Sequence, residues 1–381
     1  MKIAWFRPSG AAPDGDGDHL ADVIGALGAA HQIECVDERR AHDFVWRYAR
    51  GAFDLCVYEL DNTARHQYMW PYLLHYPGVL ALQSATVHDA RRARLVHEGR
   101  QADYRSEISF AGGPSQVRPP WHMARGQWPM LRIPVTASRL TAVADASLAE
   151  DVASAVPEAS VRVVTTGVTD PLPAGHVAAR VPAHRVTIAV AEPSHRQAVH
   201  RAVARLSAEG MAMQLAPEGA VSEADVVVAV RWPLAGRPLV AALRAMAAGQ
   251  PLIVAETPGT AAWPAWDPQT WRPRDLGRPP EAPAVVSVDP RDEEHSLVLA
   301  IRRLAADASL RTELGTAARA WWATHATLEH AVATWLAVVS DAAALPAPRR
   351  PDGWPRHLDV DGSALARQIL AECGVERVPG Y

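Results

Sequence analysis

Short apolar runs alternate with helix-spaced apolar positions along most of the 381 residues. Ile3-Ala-Trp-Phe6, Leu55-Cys-Val-Tyr58, Val79-Leu-Ala-Leu82, Leu140-Thr-Ala-Val143 and Val161-Arg-Val-Val164 each have the length and apolarity of a buried strand. The signal returns at Val186 to Val190, Met213 to Ala216, Val226 to Val230, Leu252 to Ala255 and Val285 to Val288. Between these runs apolar side chains recur at i, i+4 and i+7, one face of an α-helix. Leu20, Ile24 and Leu27 do so, as do Val199, Val203 and Leu206; Leu239, Leu243 and Met246; and Leu297, Ile301 and Leu304. Strands that are apolar without alternation are buried on both faces, so the pattern predicts an α/β fold of parallel sheets covered by helices.

The rhythm breaks near the middle. Thr166-Gly-Val-Thr-Asp-Pro-Leu-Pro173 and the residues up to Pro182 are rich in proline and glycine and lack periodicity. A boundary at about residue 175 divides the chain into two doubly wound, Rossmann-like units, 1–175 and 176–345, in keeping with a length beyond what one core serves. Residues 346–381 read as a Pro/Arg-rich connector, followed by a short helix around Ser363 to Cys373. Ligands of doubly wound sheets bind outside the carboxyl ends of the strands, so two facing units create a cleft. Two irregular stretches, Phe110 to Pro134 and Trp263 to Pro283, read as loops at the cleft edge. Trp263, Trp266 and Trp271 in the second are candidates for stacking on a sugar face or a base, with loop packing as the alternative.

Composition narrows the function classes. The chain is 49% hydrophobic and 21% charged, and its net charge of −4 leaves no positive field for nucleic acid. Lys2 is the only lysine. Cys35, Cys56 and Cys373 are widely spaced, which disfavours a disulfide framework or a cysteine zinc site and points to a reducing cytoplasm. Only four apolar residues, Ile3 to Phe6, precede Arg7-Pro8, so no export signal is expected. Ala331 to Leu345 is too short and too polar for a membrane span, which needs about 20 apolar residues. Histidines are numerous, but none has the spacing of a helical metal site, and His184, His195 and His200 read as solvent or cleft groups. There is no Gly-x-Ser-x-Gly elbow and no dinucleotide fingerprint.

Two segments carry candidate chemistry in the first half. The loop Pro8-Ser-Gly-Ala-Ala-Pro-Asp-Gly-Asp-Gly-Asp18 lies between a strand and a helix, where glycines such as Gly17 let backbone amides approach a ligand. Its aspartates Asp14, Asp16 and Asp18 make it a poor phosphate cradle, and Asp18 as a helix cap is the plainer reading. The second segment, Val57 to Leu73 with Tyr76 to Asp89, delivers Asp61, Asn62 and His66 to one strand edge and Gln83, Ser84 and His88 to the next. In this segment the sequence resembles bacterial glycosyltransferases of family 4, which read like Tyr-x-Leu-Gly-Asn-Asn-x-x-His and Pro-Gly-x-x-Val-Leu-His-Asp-x-x-Leu-His. Asn62, His66, Pro77, Gly78 and His88 are kept. Val163-Val-Thr-Thr-Gly-Val-Thr-Asp-Pro171 is similar to the family's Val-x-Pro-x-Gly-Val-x-Asp-Pro. Val230 to Val254 resembles its Arg-x-Pro-Thr-x-Gly-Glu-x-Ser pattern with the following Gly-Lys-Pro.

The resemblance covers about residues 1–340 and implies a GT-B architecture. It implies transfer of a sugar from a nucleotide-sugar donor, with retention and without metal or further cofactor. Its implied donor side is Arg196, Arg231, Gly236, Arg237 and Arg244; its acceptor side is Gly17, Asp61 and Asn62; and His88, Gln83 and His66 stand at the catalytic positions. Several family residues are replaced. Leu-His-Asp is Leu82-Gln83-Ser84, Gly-Glu is Gly236-Arg237, the lysine before the proline is Gln250, and Glu-Leu-Pro has become Ala262-Trp263-Pro264. A guanidinium only donates hydrogen bonds and cannot take over a carboxylate that accepts them. The replaced carboxylates leave open a second reading, a non-catalytic homologue that binds and regulates a partner enzyme.

Overall fold

The computed structural model describes residues 1–10, 19–112, 128–172, 185–231, 239–277, 281–360, 369 and 371–374. The first sheet contains β1 (Lys2–Phe6), β2 (Gln32–Val36), β3 (Leu55–Leu60), β4 (Val79–Leu82), β5 (Leu140–Val143) and β6 (Val161–Val163). Their order is β2-β1-β3-β4-β5-β6, and every pairing is parallel. The second contains β7 (Val186–Val190), β8 (Met213–Leu215), β9 (Val226–Ala229), β10 (Leu252–Ala255), β11 (Ala265–Trp266) and β12 (Val285–Val288). It runs β11-β12-β10-β9-β7-β8, again wholly parallel. The expected α/β class of two doubly wound sheets is what the chain forms.

Alternate strand residues feed different cores, as a period of two requires. On one face of the first sheet Ala4, Phe6, Cys56, Tyr58 and Leu80 meet α2 (Ala41–Ala49), α3 (Trp70–His75), α4 (His88–His97), α5 (Gln101–Phe110), α6 (Arg132–Ala137) and α7 (Ala146–Ala155). On the other, Ile3, Trp5, Leu55 and Val57 meet α1 (His19–Leu27). The second sheet is covered on one face by α8 (Arg196–Ala208) and α10 (Glu293–Ala306), and on the other by α9 (Val240–Ala247) and α11 (Ala308–His325). Side-chain caps start several of these helices: Asp145 accepts from Leu148 N at α7, and Asp307 from Leu310 N at α11.

The last long helix, α12 (Leu328–Ala344), follows α11 in sequence yet packs on the first sheet. Its Ala331, Trp335, Val338, Val339 and Ala342 are buried with Ile3, Trp5 and Val79, and the Trp5 and Trp335 rings lie 5.2 Å apart. Grouping residues 176–345 by sequence alone therefore splits this helix from the core it completes. The crossing is tight. Val168 pairs with Thr327, and a Cβ on Gly167 would overlap Thr327 O and Ala331 Cβ, so the backbones approach as only glycine allows.

Residues 346–360 also return to the first unit and are more than a connector. Arg350 donates to Leu74 O at 3.1 Å, the Trp354 ring meets Phe110 edge-on at 5.4 Å, and Leu358 is buried in the same core. Two stretches expected to be irregular hold short elements. Arg132–Ala137 is helical, with Pro134 in the first turn where its missing N–H costs nothing, and Ala265–Trp266 is an edge strand on β12. Trp266 and Trp271 pack against the second sheet's core with their rings 6.4 Å apart, so they serve packing. The expected boundary near residue 175 and most of the expected helix from Ser363 to Cys373 lie outside the described residues.

Candidate functional site

In a doubly wound sheet the crevice opens where neighbouring strands lead off in opposite directions, which here is between β1 and β3 and between β7 and β9. At the first point Trp5 Nε1 donates to Glu59 Oε1 at 2.6 Å, and Arg7 Nε lies 3.7 Å from the same oxygen. The chain leaving β1 is fastened: Ser9 gives its amide and hydroxyl to Glu38, and Arg65 donates to the carbonyls of Ser9 and Gly10. The Ser9 hydrogen bonds hold the Glu38 carboxyl down at about 2. Sequence reasoning missed Glu38, Glu59 and Arg65, because no local spacing links them to the loop they hold. Gly17, Asp14, Asp16 and Asp18 lie outside the described residues.

At the end of β3, burial pushes the Asp61 carboxyl up to about 6, against the hydrogen bond that it accepts from Asn62 N at 2.7 Å. Asn62 reaches across to α4: its Oδ1 accepts from Ala90 N at 3.0 Å and its Nδ2 donates to Asp89 at 3.3 Å. His66 Nδ1 is 2.8 Å from the Thr63 hydroxyl, and burial, with Arg65 nearby, lowers its imidazole to about 4, so it is neutral at pH 7. Gln83 is half-buried and lines a small crevice with Leu20, Thr165 and Trp335. His88 does not sit at the cleft surface as expected. It is 1% exposed, Nε2 lies 2.7 Å from the Tyr104 hydroxyl, and the two rings are parallel at 5.9 Å. Its place is between α4 and α5, where it sets the helix that Asn62 pins.

At the second switch point Arg231 follows β9 and Glu192 follows β7. Arg231 Nη2 lies 2.5 Å from Glu192 Oε1, and both residues are buried. Adjacent strands bring the two together across 39 positions. Arg196 donates to Ala216 O at 2.9 Å and so anchors the end of β8. His195, expected as a solvent or cleft group, is buried and pairs with Glu293 at 2.9 Å. Arg244 is exposed on α9; Gly236 and Arg237 lie outside the described residues. Gln250 is buried and donates to Val221 O and Ala224 O at 2.8 and 3.2 Å, so the residue in place of the family lysine ties a loop.

Between the units lies a cavity of about 440 Å³. Asp145, Val164, Thr165 and Thr166 line it from the carboxyl edge of the first sheet. Leu239, Leu243, Gly259 and Trp263, with Trp321 and His325 of α11, line it from the second unit. Among the described residues no three His, Cys, Asp or Glu side chains cluster to hold a metal ion, and no helix is long and apolar enough to cross a membrane.

No protein-family profile matches this sequence, and no curated protein matches it. Solved structures do match by shape. HepE from Anabaena, in complex with UDP-glucose, superposes with a TM-score of 0.50 at 12% identity over 91% of this chain and 100% of its own. WaaG, a glycosyltransferase involved in lipopolysaccharide biosynthesis, gives 0.50 at 10% identity over 88% and 98%.

The fold is GT-B. In GT-B terms, Asp61, Asn62, His66 and Gln83 belong to the N-terminal unit's strand edge, and Arg231 with Glu192 to the C-terminal unit's switch point. The cavity lies between the two edges of the GT-B cleft.

Proposed function

We propose that the chain transfers a sugar from a nucleotide-sugar donor to an acceptor held in the cleft between its two units. The observation that carries this is the meeting of two parallel carboxyl edges at one cavity, with a buried arginine at the switch point of the C-terminal unit. The donor diphosphate is assigned to Arg231, whose planar fork suits two phosphate oxygens, and to the amides that open α9. Glu192 fixes the guanidinium plane as a positioning residue. Arg196 serves the scaffold, and Arg244, exposed on α9, is assigned to the ribose side.

On the N-terminal side Asp61 and the neutral His66 supply hydrogen-bond partners for hydroxyls, and Asn62 keeps α4 in register. Retention at the anomeric carbon and independence of metal are part of the proposal. Cationic side chains and helix N-termini stabilise a leaving diphosphate without an ion.

The test is thermal unfolding with UDP, GDP and ADP, and with their glucose conjugates. A nucleotide at 100 times its Kd adds about 2.7 kcal/mol to the folded state. One nucleotide is expected to raise Tm, and its sugar conjugate to be hydrolysed slowly. No shift with any of them, together with no hydrolysis, rejects sugar transfer and favours the partner-binding reading.

A further inference from the structure

The cleft cavity is lined unlike a phosphate site. Its described lining is mostly aliphatic with the Trp263 and Trp321 rings, and Asp145, Thr165, Thr166 and His325 are the polar side chains. Among the described residues no arginine or lysine lines it, and Oδ1 of its carboxylate, Asp145, caps α7. The cavity sits beyond β5 and β6 and beside the loop after β10, two or more strands from the switch point of the first sheet. At about 4.8 Å per strand it is displaced by roughly 10 Å or more from that point.

One wall is aromatic. Trp263 and Trp321 lie 5.2 Å apart, and His325 stacks on Trp321 at 4.8 Å with an 18° interplanar angle. The Trp321 indole N–H is buried without an acceptor. His325 Nδ1 lies 2.9 Å from Trp321 O, and a carbonyl only accepts, so Nδ1 carries the proton. In the neutral ring Nε2 is then an acceptor, and His325 is exposed.

We propose that this cavity takes the body of the acceptor, an uncharged, ring-bearing apolar compound whose hydroxyl donates to His325 Nε2. The inference rests on the transferase reading for the role of acceptor, but binding in the cavity can be measured without it. The volume falls within the range of about 300–1,000 Å³ that holds drug-sized ligands, and the aromatic wall offers stacking with the His325 imidazole beside it as an acceptor. A nucleotide diphosphate would find no cation among the described residues that line it.

The probe is 1-naphthol, titrated against the full chain by quenching of tryptophan fluorescence, with 1-methoxynaphthalene as the control that cannot donate. Saturable binding of 1-naphthol is expected, several-fold tighter than the methyl ether. His325→Phe keeps the stack and should erase that preference. Gly259→Trp enters from an exposed position where an added Cβ meets only the Thr257 hydroxyl at 4.0 Å, and should weaken the probe at least tenfold without unfolding the chain. No saturation, or affinity unchanged in both variants, overturns the assignment. Naphthol binding that behaves as expected in a chain that binds no nucleotide would remove the acceptor role, leaving a small-molecule site on a protein that is not a transferase.

Discussion

Glu107 offers the sharpest test of how the N-terminal unit is held. It lies on α5, fully buried, and accepts from Arg91 Nε and Nη2 at 2.8 and 2.5 Å and from His357 Nε2 at 2.9 Å. Arg91 belongs to α4 and His357 to the returning tail, so one carboxylate joins three segments. Glu107→Leu leaves a buried guanidinium without its counter-charge, which costs about 3–5 kcal/mol. The double variant Arg91→Met with Glu107→Leu removes both charges and replaces them with apolar volume, a change that is often neutral. It still forfeits the Arg91 contact over the Trp70 ring, 4.3 Å to the centroid and worth about 1–2 kcal/mol. The double variant should therefore be more stable than Glu107→Leu alone, with a coupling of about 3 kcal/mol between the sites.

Urea unfolding followed by tryptophan fluorescence reads this directly, provided the slope m is unchanged. Additive losses, or a Glu107→Leu cost below about 1 kcal/mol, would show that the pair does not hold the fold. The same carboxylate gives a pH dependence. Burial raises its proton affinity, but the hydrogen bonds from His357 and Arg91 outweigh that, and it sits below its ordinary 4.5. Its contribution is complete above that value and is lost as pH falls through the lower, folded one. The wild-type urea midpoint should drop between pH 5 and 3 more steeply than that of Glu107→Leu.

Trp335→Ala removes the largest side chain that α12 sets against the first sheet and should cost about 3–5 kcal/mol, seen as a lower urea midpoint; a loss below 1 would mean that α12 is not part of that core. Gly167→Ala drives a methyl into Thr327 O and should cost about 1–3 kcal/mol while Gly259→Ala, in open space, costs little; equal effects would contradict the tight crossing. Asp61 prefers its neutral form in the fold, with its carboxyl at about 6, so the folded state holds the extra proton and stability falls as pH rises from about 4 to 6. Asp61→Asn should remove that slope and gain up to about 3 kcal/mol at pH 7, measured as Tm from pH 4 to 7.5; an unchanged slope would refute it.

The strands were legible because a parallel strand buried on both faces leaves an unbroken apolar run, as Val79 to Leu82 does. Helix faces were legible because apolar side chains recur at i, i+4 and i+7, as Leu297, Ile301 and Leu304 do. What spacing could not give was the partner of a face. Ala331, Trp335 and Val338 mark an apolar stripe on α12, but nothing local says that Trp5 covers it. The candidate site divides along the same line. Asp61, Asn62 and His66 follow β3 directly in the chain, so their place after a strand is local and readable from spacing. His88 opens the helix after its strand, but Tyr104 on α5 holds it inside, a contact that only the packing of α4 on α5 creates. Glu192, Trp321 and His325 had no motif to announce them. The strand order places Glu192 on Arg231, and the return of the chain into α12 places the end of α11 on the cleft.

The Arg231–Glu192 pair also sets a limit on donor binding. A diphosphate brought to Arg231 meets the Glu192 carboxylate as well as the guanidinium, since the two side chains are 2.5 Å apart. Like charges 4 Å apart at an effective dielectric of 20 repel by about 4 kcal/mol, so the carboxylate that orients the arginine also opposes the ligand. Orientation needs only an acceptor oxygen, whereas repulsion needs the charge. Glu192→Gln keeps the first and removes the second. If Arg231 is the diphosphate site, that variant should bind the preferred nucleotide diphosphate at least tenfold more tightly than the wild type, by calorimetric titration at pH 7 and low salt. The gain should shrink as salt rises and screens the carboxylate. Unchanged or weaker affinity would place the diphosphate away from Arg231 and leave the pair a purely structural one.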